Sequence, residues 1–282
     1  MRRKLRWMAA LLAAGFTGCA SLPFQPSSSV NVTPASLNIP YEDVRITTAD
    51  GERIAGWYIP AKNSEGKAGA GKTLIFFQGN SGNLSHRLDT IALFHRIGLA
   101  TLIVDYRGFG DSTGKPSVYG VIADAEATWD WLMENKRPRT EDVVIFGRSL
   151  GGGVAAALAA RREPGALILE STFTTLHDVA SNMFPLLPAG LFLPQDFDSP
   201  GCLGGLHIPL LVVHSPDDKV IPYRLGQALY DGYAGPKRFL VLSGPHSNGF
   251  RSNMGIYEKG LGDFLRSPPV GETASLHAEA DE

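Results

Sequence analysis

The chain has 282 residues, of which 44% are hydrophobic and 19% charged, a balance typical of a globular protein with one sizeable core. Its formal net charge at pH 7 is −2, and its Lys and Arg residues are scattered along the sequence. Nucleic acid is therefore not an expected partner, because binding its phosphates requires a basic patch or stripe. The sequence also contains no internal repeat, so one folded domain is expected.

The N-terminal residues have the pattern of an export signal. Four Arg and Lys residues within positions 2–6 precede a short apolar stretch, residues 7–16, which is too short to span a bilayer comfortably. The following sequence Thr-Gly-Cys-Ala resembles a bacterial lipobox, whose cysteine, here Cys19, is lipidated and becomes the first mature residue. The alternative is ordinary cleavage after Ala20. The lipobox hypothesis predicts a protein anchored in the bacterial cell envelope, facing the periplasm. Ordinary cleavage predicts a soluble periplasmic or secreted protein.

Residues 21–40 are rich in Ser, Pro and Asn without a repeating period. Such a composition buries little apolar surface, which predicts a flexible tether that holds the domain off the membrane. The chain contains only two cysteines, Cys19 and Cys202. If Cys19 carries lipid, Cys202 has no intramolecular partner, so no disulfide framework is expected.

From residue 41 the hydrophobic pattern predicts an α/β domain. Residues 44–47 and 54–59 flank a turn and predict an antiparallel hairpin. Apolar strand segments then alternate with helical segments, which predicts a mainly parallel sheet of about eight strands, with helices on both faces and the hairpin at one edge. The later strands are predicted at residues 73–77, 100–105, 143–146, 166–169, 210–213 and 238–242. Helices are predicted up to about residue 95, at 118–135, through 160, at 223–233 and up to about 266.

A Gly-x-Ser-x-Gly motif joins the strand at residues 143–146 to an Ala-rich helix. Glycines stand at both second neighbours of Ser149, where a Cβ would clash in the strained strand-to-helix turn called a nucleophile elbow. The turn aims the serine at the helix N-terminus, where the helix dipole and unpaired N–H groups favour a developing negative charge. The structural alternative is a Gly-rich helix start with an N-capping serine. The strand before the motif favours Ser149 as a nucleophile.

A serine nucleophile needs a base, and the base needs an acid that holds its tautomer. Among the seven histidines, His246 lies in a loop after the last predicted strand, from which it can reach Ser149. The loop after the strand at residues 210–213 offers adjacent acids, and we favour Asp218, although spacing alone does not separate it from Asp217. Glu170, at the end of the preceding strand, is a third possibility.

Negative charge on a substrate carbonyl oxygen needs two preorganised donors. The backbone N–H of Leu150, directly after the nucleophile, is expected to supply one of them. The loop after the strand at residues 73–77 is expected to supply the other, and Asn80 is our candidate. The alternative for this Gly-Asn-Ser-Gly sequence is an ordinary turn.

These motifs resemble the α/β-hydrolase superfamily, in particular the branch that includes eukaryotic depalmitoylases and monoacyl or lysophospholipid lipases. The resemblance covers roughly residues 41–265 and rests on Gly-Arg-Ser-Leu-Gly-Gly at 147–152, Asp-Tyr-Arg-Gly-Phe-Gly-Asp-Ser at 105–112 and Glu-Ser-Thr-Phe-Thr at 170–174. The order Ser149, Asp218, His246 is that of the superfamily. The family's His-Gly-x-x-Asp-x-x-Val-Pro motif places its acid on Asp218. Gln78 departs from the pattern, because a histidine usually precedes the oxyanion glycine.

The resemblance implies a serine hydrolase that cleaves an acyl ester or thioester through an acyl-enzyme, without metal or cofactor. A small-molecule acyl substrate and a membrane are the expected partners. Two alternatives remain: a peptidase of the same fold, resembling aminopeptidases, and a lipoprotein that kept the fold as a binding or scaffold module. The predicted organisation is signal and lipobox at residues 1–20, tether at 21–40, catalytic domain at 41–267 and a disordered tail at 268–282.

Overall fold

The structure is a computed structural model that describes residues 24–62, 65–183, 196–246, 249–270 and 274–276. The predicted signal, including Cys19, lies outside these residues. The strands are β1 Gln25–Pro26, β2 Glu42–Thr47, β3 Arg53–Ile59, β4 Thr73–Phe77, β5 Ser81–Gly82, β6 Ala100–Val104, β7 Val143–Arg148, β8 Ala166–Glu170, β9 Leu210–His214, β10 Lys237–Val241 and β11 Ala274–Leu276. The helices are α1 Leu88–Arg96, α2 Val118–Asn135, α3 Leu150–Arg162, α4 Leu176–Met183, α5 Ser199–Leu203, α6 Tyr223–Gly232, α7 Gly249–Ser252 and α8 Met254–Arg266.

Within the described ranges, the main sheet has nine strands in the order β11-β10-β9-β8-β7-β4-β6-β3-β2. Neighbouring strands from β11 to β6 run parallel, whereas β3 pairs antiparallel with β6 and with β2. The predicted sheet of about eight strands and its edge hairpin are therefore confirmed. The additional strand β11 is short and lies within the segment predicted as a disordered tail.

The central strands are buried on both faces, which explains their nearly continuous apolar sequences. Every residue of β4, β6, β7, β8 and β9 is buried. Alternate side chains of these strands enter two separate apolar clusters, which lie on opposite faces of the sheet. This burial fixes the strand register, because a slip by one residue would exchange the two faces. The carboxyl ends of β4, β7 and β9, which precede the candidate site residues, therefore have defined positions.

The N-terminal segment differs from its prediction. Phe24 is only 6% exposed and packs on Phe109 with ring centroids 6.5 Å apart, and β1 pairs parallel with β5. Ile39, near the other end of the segment, is 7% exposed and belongs to an apolar cluster of the domain. The prediction of a flexible tether is thus wrong for residues 24–40, because a few apolar side chains and backbone hydrogen bonds suffice to hold a Ser- and Pro-rich chain on the domain.

Across the described part of the chain, no helix is both long enough and apolar enough to cross a membrane.

Candidate active site

The Gly-x-Ser-x-Gly turn has the geometry of a nucleophile elbow. Ser149 stands between β7 and α3 with φ 56° and ψ −123°, in a left-handed region that non-glycine residues seldom occupy. A Cβ at Gly147 would lie 2.2 Å from the carbonyl oxygen of Gly151, and a Cβ at Gly151 would lie 2.1 Å from that of Phe77. Only glycine fits at either second neighbour. The close approach of the backbones presents Ser149 at the carboxyl edge of the sheet.

The structure brings Ser149, His246 and Asp218 together. The Oγ of Ser149 lies 3.0 Å from Nε2 of His246, and Nδ1 of His246 lies 2.6 Å from Oδ2 of Asp218. A carboxylate only accepts hydrogen bonds, so Nδ1 of the neutral imidazole carries the proton and Nε2 is an acceptor for the serine hydroxyl. The three side chains come from three loops that are distant in sequence and meet at one edge of the sheet. This arrangement can transfer a proton from Ser149 to His246.

Asp218 is held as a carboxylate. Its Oδ1 accepts from the amides of Val220 (2.8 Å) and Ile221 (2.9 Å). Burial alone would raise the pKa of Asp218, but hydrogen bonds from His214 and His246 outweigh burial and hold the pKa below its usual value. The charged form therefore persists beside the imidazole, where a carboxylate can stabilise an imidazolium cation.

The other two acidic candidates have different partners. Asp217 is exposed, and its Oδ2 accepts from the amide of Gly244 at 2.8 Å, so it holds the loop that carries His246. Glu170 is buried and pairs with Arg148, with Nε and Oε1 2.8 Å apart, and it also accepts from the hydroxyl of Tyr257. Neither carboxylate bonds to His246. Of the three acids considered from the sequence, only Asp218 reaches the imidazole.

The predicted oxyanion residues flank the nucleophile. Leu150 is the first residue of α3, so its amide is among those without an intrahelical acceptor. Asn80 follows Gly79, where a Cβ would lie 3.4 Å from the Cβ of Ser149 and 3.9 Å from its Oγ. The loop that contains Asn80 thus borders the nucleophile, and the role of both residues as oxyanion donors stays a prediction.

The chain is similar in sequence to several known proteins. The family described as serine aminopeptidase, S33 matches residues 70–192. The uncharacterized protein Rv2307c of Mycobacterium tuberculosis is 36% identical over 223 residues, 79% of this chain and 76% of the relative. The α/β hydrolase domain-containing protein WAV2 of Arabidopsis thaliana is 39% identical over 183 residues, 63% of this chain and 58% of the relative. The chain belongs to the α/β-hydrolase superfamily.

Solved structures of α/β hydrolases share the fold. The Pyrococcus furiosus esterase Pf2001 superposes with a TM-score of 0.71 and 22% sequence identity, over 87% of this chain and 97% of that chain. This likeness establishes the architecture and not the substrate. Together with the family match, the shared fold indicates a hydrolase.

His214 ends β9 and contacts Asp218, the candidate acid. The sequence alone suggested no role for this histidine. Its Nε2 is 3.0 Å from the carbonyl oxygen of Ile221 and 3.5 Å from Oδ2 of Asp218. Because both neighbours are acceptors, Nε2 carries the proton. Its Nδ1 is buried without a hydrogen-bond partner, and a Cβ at Gly226 would lie 2.2 Å from that atom. The sequence feature that could have indicated this contact is a histidine at the end of a strand, four residues before Asp218.

A polar network on the interior side of the loop that contains Asn80 holds this loop in place. Oδ1 of Asp105 accepts from Nε2 of Gln78 (2.7 Å) and from the amide of Leu84 (2.8 Å), and Oε1 of Gln78 accepts from Nε of Arg87 (2.9 Å). The hydroxyl of Tyr106 donates to the backbone carbonyl of Gln78 (2.8 Å). Gln78, the departure from the usual histidine, thus bridges the buried carboxyl of Asp105 and the half-buried guanidinium of Arg87.

Asp105 carries a stability prediction. Burial raises its pKa to about 7, against hydrogen bonds from Leu84 and Gln78 that lower it, and its Oδ2 has no partner. Between the unfolded pKa near 4 and the folded pKa, the native state binds more protons than the unfolded state, so the free energy of unfolding falls as pH rises toward 7. Asp105→Asn keeps the Oδ1 acceptor and removes the buried charge. We expect the difference in melting temperature, variant minus parent, to be several degrees more positive at pH 8.5 than at pH 5.5. An identical difference at both pH values would contradict the prediction.

Proposed function

We propose that the protein is a serine hydrolase that cleaves a carboxylic ester or thioester of an acyl or lipid-like substrate. The observation that carries the proposal is the continuous hydrogen-bond chain from Ser149 through His246 to Asp218. The fold alone would not require it, because α/β folds also serve functions that need no nucleophile.

Each residue has a defined task in the proposed reaction. Ser149 attacks the carbonyl carbon while His246 takes its proton, and Asp218 stabilises the resulting imidazolium. The carbonyl oxygen becomes negative and accepts hydrogen bonds from the amide of Leu150 and from Asn80 or its loop. His246 then protonates the leaving alcohol or thiol. Water, deprotonated by the same histidine, attacks the acyl-enzyme and releases the acid and Ser149.

A peptidase is the enzymatic alternative, and the match to the family described as serine aminopeptidase supports it. An aminopeptidase needs a group that captures the substrate's terminal amine, and no such group was identified from the sequence. A binding or scaffold module is the non-catalytic alternative. It gives no reason for a nucleophile, a base and an acid to be placed within hydrogen-bond distance of one another.

A substrate panel tests the proposal. It contains p-nitrophenyl esters and acyl thioesters of varied chain length, together with aminoacyl p-nitroanilides. We expect turnover of esters or thioesters at rates at least a hundredfold above those of the anilides. Preferential cleavage of the anilides would establish the peptidase, and no turnover of any member would favour the binding module.

We also propose that the hydrolase is attached to the cell envelope through lipid on Cys19. Only four residues, 20–23, separate Cys19 from Phe24, the first described residue, which is buried on the domain. An extended chain covers at most about 3.6 Å per residue, so the lipidated residue lies within about 18 Å of Phe24. A lipid there would hold this side of the domain, where β1 pairs with the oxyanion loop, close to the membrane.

Replacing the cysteine tests the attachment. Cys19→Ser removes the thiol that receives the lipid, so we expect incorporation of labelled palmitate to disappear, and the variant to remain a precursor or to be cleaved after Ala20. Cys202→Ala is the matched control, because Cys202 lies in α5 and its loss leaves the lipobox intact. Unchanged labelling of the Cys19→Ser variant would refute the lipid anchor.

A further inference from the structure

The N-terminal residues 24–30 lie along the loop that carries the candidate oxyanion donor. The amide of Gln25 donates to the carbonyl of Asn80 at 2.7 Å, and the amide of Ser27 donates to the carbonyl of Gly82 at 3.0 Å. Two peptide planes of the loop are therefore fixed by backbone donors that come from outside the catalytic sheet.

A buried amide side chain makes the same connection. Asn83 is fully buried, and its Nδ2 donates to the carbonyls of Ser27 (3.1 Å) and Ser29 (2.8 Å). Its Oδ1 accepts from the amide (3.0 Å) and the hydroxyl (2.6 Å) of Ser85. Both side-chain N–H groups of Asn83 thus donate to the N-terminal segment, whereas its side-chain oxygen accepts from the short helical turn that follows the loop.

The segment also contacts the loop that follows β6. Phe24 packs edge to face on Phe109, and the carbonyl of Ser27 accepts from the amide of Gly110 at 2.9 Å. Residues 24–30 therefore bridge two loops at the carboxyl edge of the sheet. One of these loops contains Gly79, which lies directly against Ser149.

Oxyanion donors stabilise a transition state only when they are held in place before the charge develops, because reorientation during the reaction cancels the gain. The network of Asp105, Gln78 and Arg87 supports loop 78–83 from the domain interior. Residues 24–30 support the same loop from the outside. Loss of either support should let the loop relax away from the position in which its donor could reach an oxyanion.

We propose that residues 24–30 are a positioning segment of the active site, which holds loop 78–83 in its catalytic conformation. The inference rests on the proposed hydrolase function. It gives a task in turnover to a segment whose composition is that of a tether.

Asn83→Asp tests the proposal in the full-length protein. The substitution keeps the acceptor for Ser85 and replaces both donors with an oxygen that faces two carbonyls. Removal of one oxyanion donor costs about a hundredfold to a thousandfold, so a loosened loop should lower kcat for p-nitrophenyl butyrate by tenfold or more. We expect KM to change less than about threefold. The affinity for phenylboronic acid, whose adduct with Ser149 places an oxygen at the oxyanion position, should fall in parallel with kcat.

Phe24→Ala is the second variant, because it detaches the segment without changing the loop or introducing a charge. Ile39→Ala is the matched control: Ile39 is as buried as Phe24 and belongs to the same N-terminal region, but it packs in a different apolar cluster. We expect both alanine variants to lower the melting temperature and only Phe24→Ala to lower kcat and boronate affinity.

The outcomes separate the two levels of the proposal. If Phe24→Ala and Asn83→Asp keep the parental kcat and boronate affinity while their melting temperatures fall, the segment is only structural and the inference is overturned. If Asn83→Asp does not fold, Phe24→Ala decides alone. If the parental protein hydrolyses no ester or thioester, the proposed function itself fails, and the inference fails with it.

Discussion

Replacement of Ser149 by alanine is expected to lower ester or thioester hydrolysis by a thousandfold or more. The serine hydroxyl is the only group that forms a covalent bond to the acyl carbon in the proposed reaction, and removal of a triad nucleophile leaves only the contribution of binding and the oxyanion site. The measurement is kcat/KM on the best substrate of the panel. Because alanine is smaller than serine, the variant should fold, and its melting temperature verifies this.

Ser171→Ala is a matched control for this substitution. Ser171 follows the neighbouring strand β8, is 7% exposed and also has a positive φ, 47°. It has no task in the proposed mechanism, so we expect activity within a few-fold of the parent. Parental activity in the Ser149→Ala variant would show that the nucleophile lies elsewhere.

The second large effect is expected at the acid. Asp218→Asn should lower kcat by about a thousandfold or more, because an amide that donates to Nδ1 of His246 favours the tautomer whose Nε2 carries the proton and cannot accept one from Ser149. Asp217→Asn is the internal comparison. Its amide oxygen can still accept from Gly244, so we expect nearly parental turnover.

The pair of variants is measured side by side, with Glu170→Gln as a third. Equal losses in Asp217→Asn and Asp218→Asn would contradict the assignment of the acid. A larger loss in Glu170→Gln would show that the buried pair of Glu170 with Arg148 matters more to turnover than the contact between Asp218 and His246.

The sequence predicted the parts of the fold and site that depend on local pattern. β4 and β7 are apolar throughout because both of their faces are buried, and the glycines at 147 and 151 stand where a Cβ would meet backbone atoms. Each of these constraints restricts the residue type at a single position, so it is visible in the sequence. The choice of His246 also followed from topology, since loops after parallel strands meet at one edge of the sheet.

Other features depend on contacts between distant segments and leave little trace in composition. The N-terminal region is polar on average, yet Phe24 and Ile39 are buried on the domain. Backbone carbonyl groups, which every residue possesses, add hydrogen bonds from Asn83. Spacing alone left the adjacent acids Asp217 and Asp218 unseparated. In the structure, Oδ2 of Asp217 accepts from the amide of Gly244, and Asp218 bonds to His246.

Reaction with a fluorophosphonate probe tests the central claim most directly. The probe phosphonylates an activated serine, and peptide mapping by mass spectrometry identifies the modified residue. We expect stoichiometric labelling of the folded protein at Ser149, strong reduction in the Asp218→Asn variant and none in Ser149→Ala. Folded protein that remains unlabelled, or that is labelled equally at other serines, would contradict the proposal that Ser149, His246 and Asp218 form a working catalytic triad.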